Sequence, residues 1–420
     1  MSQIRLNENQ KKAVEYNKGD LLIIAGAGTG KTAVITQRII NIIKKDLAKP
    51  SEILALTFTE KASEEMKERV DVEMEYGYEE PWISTFHSFC DRVLREDGYH
   101  IGLDSNYSLM SGAQSYIFLR RFLYDLPLDT LKPRGNPTKF LNDLIKHFSR
   151  LQDEDVSDEE YVKYAKALPK KTPEEKANFE KYKELSETYK KYSELKIENS
   201  KIDFGDLIIL TLKLFRERAD VLEKYRKQFK YILVDEFQDT NYTQNVLINT
   251  LKDGKRHKLT VVGDDDQAIY KFRGAAISNI LQFKEKYPEA MEIVLTDNYR
   301  SRQEILDAAY ALIKHNNPNR LEETEKIDKK LVARGAFEPQ EEVVSLIAAK
   351  DEYTETERVV GEILKLTGYG EHAQEGSGAQ IFDEKGQAGF LGLSKKGKFK
   401  FSDIAILVRA KKTKSITDRT

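Results

Sequence analysis

Residues Ala25-Gly26-Ala27-Gly28-Thr29-Gly30-Lys31-Thr32 follow the apolar run Leu21-Leu22-Ile23-Ile24. The chain is therefore expected to pass from a buried strand through a glycine-rich turn into a helix. Glycines in such a turn let backbone N–H groups converge on phosphate oxygens, and the helix adds the positive end of its dipole. Lys31 can then reach the β- and γ-phosphates, and Thr32 can ligate Mg²⁺. The first position of the pattern G-x-x-x-x-G-K-[ST] is Ala25 here. A methyl group is tolerated there provided that the backbone is not left-handed. Segment 25–32 reads as the phosphate loop of an α/β domain with Mg²⁺ and ATP as its ligands.

A second apolar run, Tyr231-Ile232-Leu233-Val234, ends in Asp235-Glu236-Phe237-Gln238-Asp239-Thr240. Its length and continuity predict a central parallel strand, and ligands of open α/β sheets bind at the carboxyl ends of such strands. There Asp235 can hold the Mg²⁺ that bridges phosphate oxygens, while Glu236 can orient and deprotonate an attacking water.

The remaining motifs are longer. They comprise Leu6-Asn7-Glu8-Asn9-Gln10, Leu54-Ala55-Leu56-Thr57-Phe58-Thr59 with Lys61-Ala62, and Thr85-Phe86-His87-Ser88-Phe89. Further on come Asp235 to Asn241, Val261 to Ala275, and Asp297-Asn298-Tyr299-Arg300-Ser301. In order and content these blocks resemble the superfamily 1 DNA helicases of the UvrD/Rep/PcrA type. The resemblance implies that Gln10 reads adenine, Tyr299 stacks on it, Arg300 reaches the γ-phosphate, and Gln267 senses that phosphate and couples it to DNA. Relatives often carry Arg where this chain has Ala33.

The same resemblance puts Phe58, Tyr270 and Phe272 along a single-strand path with Arg273 beside them, and Thr57, Thr59, His87 and Ser88 against phosphates or sugars. Aromatic faces suit a single strand because every base can stack. Phe86 and Phe89 are expected in the core instead. The implied partners are single-stranded DNA and its junctions with duplex, and the implied activity is ATP-driven 3′ to 5′ movement. Two other readings stay open: a non-motor module that binds ATP or single-stranded DNA or serves in docking, and the motor part of a helicase-nuclease of the RecB type.

Composition is compatible with these readings. The 420 residues are 33% charged and 40% hydrophobic, with 68 basic against 70 acidic residues, so any basic DNA surface has to be local. One cysteine, Cys90, excludes an intrachain disulfide framework and fits a reducing cytoplasm. The first residues show no signal-peptide core.

Organisation follows from where the motifs are interrupted. Residues 1–90 and 203–280 are expected to form a first RecA-like motor domain with a parallel sheet, and 91–202 an inserted all-helical domain. Within the insertion Phe179, Tyr182, Leu185, Tyr189, Tyr192 and Leu195 recur at helical spacing and predict one buried face. The cluster Asp153, Glu154, Asp155, Asp158, Glu159 and Glu160 reads as a solvated loop and helix start. Ile202 to Leu207 resembles the family's return to the motor domain, where relatives commonly have an acid at Gly205. Residues 281–420 are expected to form an incomplete second RecA-like domain, with strands at 292–295, 343–347 and 404–408 and a mobile insertion or hairpin at 368–400. The family's later motifs, including a second arginine to the γ-phosphate, lie downstream of a strand like 404–408. The chain is accordingly expected to be the front part of a longer helicase, binding ATP without unwinding DNA by itself.

Overall fold

The structure is a computed structural model that describes residues 5–74, 77–132, 135–136, 138–268, 278–337, 343–368, 380–382, 388–390 and 399–408. It comprises two compact units, Met1–Glu338 and Pro339–Thr420. Among the described residues no helix is long and apolar enough to cross a membrane.

The first unit is built on six strands: β1 (Leu21–Ala25), β2 (Ile53–Thr57), β3 (Trp82–Thr85), β6 (Tyr231–Val234), β7 (Lys258–Gly263) and β8 (Met291–Leu295). Two short strands, β4 (Ser108–Met110) and β5 (Lys201–Asp203), lie outside this sheet. The order across the sheet is β3-β2-β6-β7-β1-β8, and every pairing is parallel. Both faces are covered, which is why the central strands read as unbroken apolar runs. Leu22, Ile24, Ile232 and Val234 enter one core with α4 (Phe86–Asp97), α9 (Phe204–Glu217) and α11 (Tyr242–Leu251). Leu21, Ile23, Tyr231 and Leu233 enter the other with α1 (Glu8–Glu15), α2 (Lys31–Lys44) and α3 (Glu60–Glu73). Phe86 and Phe89 are both 1% exposed, as expected of core residues.

The helical insertion contains α5 (Gly112–Arg121), α6 (Leu141–Asp153), α7 (Asp158–Ala167) and α8 (Pro173–Glu198). Leu185, Tyr189, Tyr192 and Leu195 are buried in its own core, with Tyr182 packed against it, while Phe179 is buried outside that cluster, with Lys170 over its ring. Its boundary differs from the expected 91. Cys90, Val93, Leu94, Leu103 and Tyr107 belong to the core of the motor domain, and the chain leaves and returns through β4 and β5, paired in parallel. The insertion therefore begins near Ser108. Its acidic cluster is only partly solvated, since Asp155 pairs with Arg216 and Asp153 accepts from Asn241 Nδ2 at 2.7 Å.

A second correction concerns β8. The sequence pattern places its residues in a separate domain starting at 281, yet Ile23 and Ile293 are register partners and β8 is the outer strand beside β1. The alternation of buried Ile293 and Leu295 with half-buried neighbours suits an edge position. α13 (Gln303–Ile313) and the paired strands β9 (Asp297–Asn298) and β10 (Val332–Ala333) follow within the same unit.

In the second unit a helix runs from Glu352 to Thr367, and Gln380–Phe382 pairs antiparallel with Ala388–Phe390. The rest of the expected 368–400 insertion lies largely outside the described residues. Residues 343–347 and 404–408, expected as strands, are irregular and largely exposed, with Leu346 at 92% and Leu407 at 94%. An apolar run becomes a buried strand only when strands and a covering layer meet it, and neither run is paired among the described residues.

Candidate nucleotide and nucleic-acid site

Because β6, β7 and β1 are consecutive in the sheet, the loops leaving their carboxyl ends converge. Gly28 and Gly30 have φ of 78° and 85°, the left-handed region open to glycine. A Cβ on Gly28 would also approach Asn298 Nδ2 at 2.7 Å. Ala25 ends β1 in ordinary strand conformation, so its methyl costs nothing, as the pattern required. Gly26, Ala27 and Thr29 complete the turn, and Thr29 closes it with a hydroxyl bond to Gly26 O at 2.8 Å. The helix α2 starts at Lys31 with Gly30 as N-cap, which supplies no side-chain cap, leaving backbone donors and the dipole to face an anion.

Lys31 lies at the centre of a closed ring of hydrogen bonds. Its Nζ donates to Glu236 Oε2 and to Gln267 Oε1, each at 2.8 Å. Gln267 Nε2 donates to Asp264 Oδ2 at 2.7 Å, and the Asp264 backbone N–H donates to Gln238 Oε1 at 3.1 Å. Gln238 Nε2 closes the ring on Glu236 Oε2 at 2.8 Å. Gln238 and Asp264 fall within two of the motif blocks, but their role arises only when β6 and β7 are neighbours.

Thr32 Oγ1 donates to Asp235 Oδ2 at 3.4 Å. This pair of hard oxygen donors fits Mg²⁺. Asp235 is 4% exposed; burial first, and then the charge of Glu236, push its carboxyl up to about 6. The same two causes push Asp239 up to about 6. Glu236 adopts φ 49°, ψ 46°, a left-handed conformation uncommon for a side-chain-bearing residue and of the kind that clusters at functional sites.

Gln10 has a task besides the one expected. Its amide nitrogen donates to Thr29 O at 2.9 Å and its amide oxygen accepts from the Asn7 N–H at 2.9 Å, so both ends are engaged in fastening α1 to the phosphate loop. It is the fourth residue of a capping box with Asn7, and one hydrogen on its amide nitrogen and one lone pair on its amide oxygen remain for a base edge. Tyr299 is 44% exposed, its OH accepts from Asn7 Nδ2 at 3.0 Å, and its N–H donates to Gly28 O at 2.9 Å. Arg300 is exposed beside Gly28. Asn298 ties this segment down: its Nδ2 donates to Ala27 O, and its Oδ1 accepts from the N–H groups of Arg300 and Ser301.

Asp264, Asp265 and Asp266 lie together, but the group that joins them is Lys329, whose Nζ is 2.6 Å from Asp264 Oδ1, 3.0 Å from Asp266 Oδ2 and in contact with Asp265. Arg320 adds two bonds of 2.8 Å to Asp266. Neither cation stands out in the sequence, because both come from a segment far from the aspartates along the chain.

On the other side of the sheet, Thr57 and Thr85 end β2 and β3 in register, which brings Thr57, Phe58, Thr59, His87 and Ser88 to one edge. Thr57 is buried and its hydroxyl donates to Thr59 O at 3.1 Å, while Thr59 caps α3 through Ala62 N. Ser88 Oγ donates to Glu60 Oε1 at 2.6 Å, and this bond helps hold Glu60 below its ordinary value. The Thr57 and Ser88 hydroxyls are therefore already engaged, and a nearby carboxylate opposes phosphate at Ser88. Burial, opposed by the charge of Glu60, holds His87 below its ordinary value. Its ring meets Phe204 edge-on at 5.8 Å, and Phe204, 51% exposed at the start of α9, is an aromatic face that sequence reading missed. Tyr270, Phe272 and Arg273 lie outside the described residues.

Residues 6–288 match the family model of the UvrD/REP helicase N-terminal domain, and residues 293–418 that of the UvrD-like helicase C-terminal domain. Among curated relatives, the ATP-dependent DNA helicase PcrA of Leuconostoc citreum is 38% identical over 86% of this chain and 44% of its own length. That of Bacillus subtilis is 41% identical over 75% of this chain and 40% of its own. That of Staphylococcus aureus is 35% identical over 88% and 47%. The chain thus spans less than half the length of these relatives.

Proposed function

Because the chain belongs to the UvrD/REP helicase family, we propose that it binds Mg·ATP on loop 25–32 and that the protein is a cytoplasmic ATP-dependent translocase and helicase moving 3′ to 5′ on single-stranded DNA. The observation that carries the nucleotide half is the ring through Lys31, Glu236, Gln238, Asp264 and Gln267. An ammonium, a carboxylate and an amide meet where three parallel strands end, within reach of a phosphate chain lying on the N-terminus of α2.

In this reading Lys31 exchanges Glu236 and Gln267 for phosphate oxygens, and Glu236, released from the ammonium, orients water and takes its proton. Gln267 follows the γ-phosphate. Thr32 and Asp235 would hold Mg²⁺, which supplies charge neutralisation between the phosphates. Tyr299 offers its ring to the base and Arg300 its guanidinium to the γ-phosphate. Gln10 holds loop and α1 together and offers adenine the remaining N–H and lone pair of its amide. On the DNA side Phe58 and Phe204 supply stacking faces, Thr59 and His87 polar contacts, and Tyr270, Phe272 and Arg273 extend the path.

The test is nucleotide binding and hydrolysis with and without a single-stranded oligonucleotide. Lys31→Ala is expected to lose nucleotide affinity, and Glu236→Gln to keep affinity while losing turnover. Phe204→Ala is expected to weaken oligonucleotide binding by about 1 to 3 kcal/mol. Parental turnover in Glu236→Gln would remove the assigned base, and unchanged DNA affinity in Phe204→Ala would make that ring a surface residue.

A further inference from the structure

Gln267 is held at both ends, by Lys31 at its amide oxygen and by Asp264 at its amide nitrogen. A carboxylate accepts and cannot donate. An ammonium only donates, so the Lys31 and Asp264 bonds, with a longer one from the amide nitrogen to Ala25 O at 3.4 Å, together set how the amide lies. The position of Gln267 depends on Asp264 staying in place.

Asp264 is 4% exposed, and its other oxygen is held by Lys329 at 2.6 Å, whose side chain is 5% exposed, with a longer bond from the Asp266 N–H at 3.3 Å. Lys329 belongs to a segment that also covers the phosphate loop. Leu331 packs so closely on Gly26 that a Cβ there would approach Leu331 Cδ2 at 2.8 Å. Val332 and Ala333 pair with Asp297 and Asn298, and Asn298 bonds to Ala27 O. One short stretch thus contacts the loop through Leu331 and β10, and Asp264 through Lys329.

We propose that Lys329 is a positioning residue for nucleotide discrimination: by clamping the Asp264 carboxylate it fixes the amide of Gln267, and so sets how loop 25–32 distinguishes a triphosphate from a diphosphate. This rests on the reading of that loop as a Mg·ATP site. Without the ammonium, Asp264, Asp265 and Asp266 repel one another, and Asp264 Oδ1 is left with only the longer bond from the Asp266 N–H. A triphosphate, whose terminal group engages Gln267, then loses more than a diphosphate, which ends short of it.

Calorimetric titration of the 420-residue chain with Mg·ADP and with a slowly hydrolysed Mg·ATP analogue tests this. Lys329→Met is expected to lower the preference for the triphosphate about tenfold, the scale of one lost buried hydrogen bond, with Mg·ADP affinity unchanged. Lys329→Arg, which keeps the charge, retains the preference. Asp264→Asn leaves Lys329 two carboxylates and carries the same test should Lys329→Met fail to fold; it is expected to lose the preference, whereas Asp266→Asn keeps it. A folded Lys329→Met or Asp264→Asn protein with the parental preference overturns the proposal. Lys31→Ala separates the two readings: parental affinity for both nucleotides in that variant would overturn the site itself.

Discussion

Asp235 is asked to be buried and, for metal binding, charged. Its carboxyl is pushed up to about 6 by burial and by Glu236, so the folded chain binds that proton more tightly than the unfolded chain does. This group's contribution to stability therefore falls as pH rises from its ordinary value through 6, and the full cost stands at neutral pH. Asp235→Asn removes the charge and keeps the shape. It is expected to raise the melting temperature of the nucleotide-free chain at pH 7.5, by an amount equivalent to at most about 3 kcal/mol, while abolishing Mg²⁺-dependent nucleotide binding. Melts with and without Mg·ATP check both halves, and a lowered melting temperature without nucleotide would show that the ionised carboxylate is a net stabiliser. His87 has the opposite sign. Its folded value is depressed by burial, so its stability contribution is present above the ordinary histidine value and lost as pH falls through it. His87→Gln is expected to flatten the acid limb of the stability profile between about pH 7 and 5; a limb of parental steepness would put the acid sensitivity elsewhere. Lys31, Thr32, Asp235 and Glu236 were legible in the sequence because strand, turn and acid sit side by side along the chain. Gln238, Asn298 and Lys329 were not, since their meaning depends on which strands become neighbours.

At the scale of elements, α9 shows how one departure from the family pattern is locked to another part of the fold. Relatives commonly carry an acid where this chain has Gly205, and a Cβ at that position would meet Gln152 Oε1 at 2.1 Å. Gln152, at the end of α6 in the insertion, donates its amide to Asp203 at 3.1 Å and Asp206 at 2.9 Å, and its carbonyl accepts from Thr243. Lys196 completes this buried cluster on the same two aspartates. Gly205 and Gln152 are therefore one choice: the missing side chain makes room for the amide that pins the insertion to the motor domain. Gly205→Ala is expected to destabilise by about 1 to 3 kcal/mol, and the double variant Gly205→Ala, Gln152→Ala to cost less than the sum of the single changes. Urea denaturation of the four proteins checks the cycle, and strict additivity would mean that α9 shifts to accommodate the methyl. The helix Pro173–Glu198 was legible from the spacing of its apolar face, and its start is fixed by the capping box of Thr172 and Glu175. Strands were legible only where others pair with them, which is why 231–234 became β6 and 404–408 did not become a strand.

Among the described residues of the whole molecule, burial is unevenly divided between the two units. The first has two layered cores around a six-stranded sheet and a third in its insertion. In the second, Thr367 is the buried residue of the helix Glu352–Thr367, and Val344, Leu346, Ile406, Leu407 and Val408 are between 58% and 94% exposed. Removing apolar surface from water is what chiefly offsets the entropy lost by an ordered chain, so the second unit has little to resist local opening while the first unfolds cooperatively. Amide exchange of the 420-residue chain is therefore expected to show strong protection in β1, β6 and β7 and weak protection throughout 352–367. Mg·ATP is expected to raise protection in the first unit, because a ligand stabilises only the structure that binds it. The exposed apolar residues should also bind a hydrophobic dye, and a version ending at Glu338 should bind markedly less while keeping its nucleotide affinity. Protection in 352–367 equal to that of β1 would overturn this picture, since it would require those side chains to be buried against something that the present arrangement does not supply.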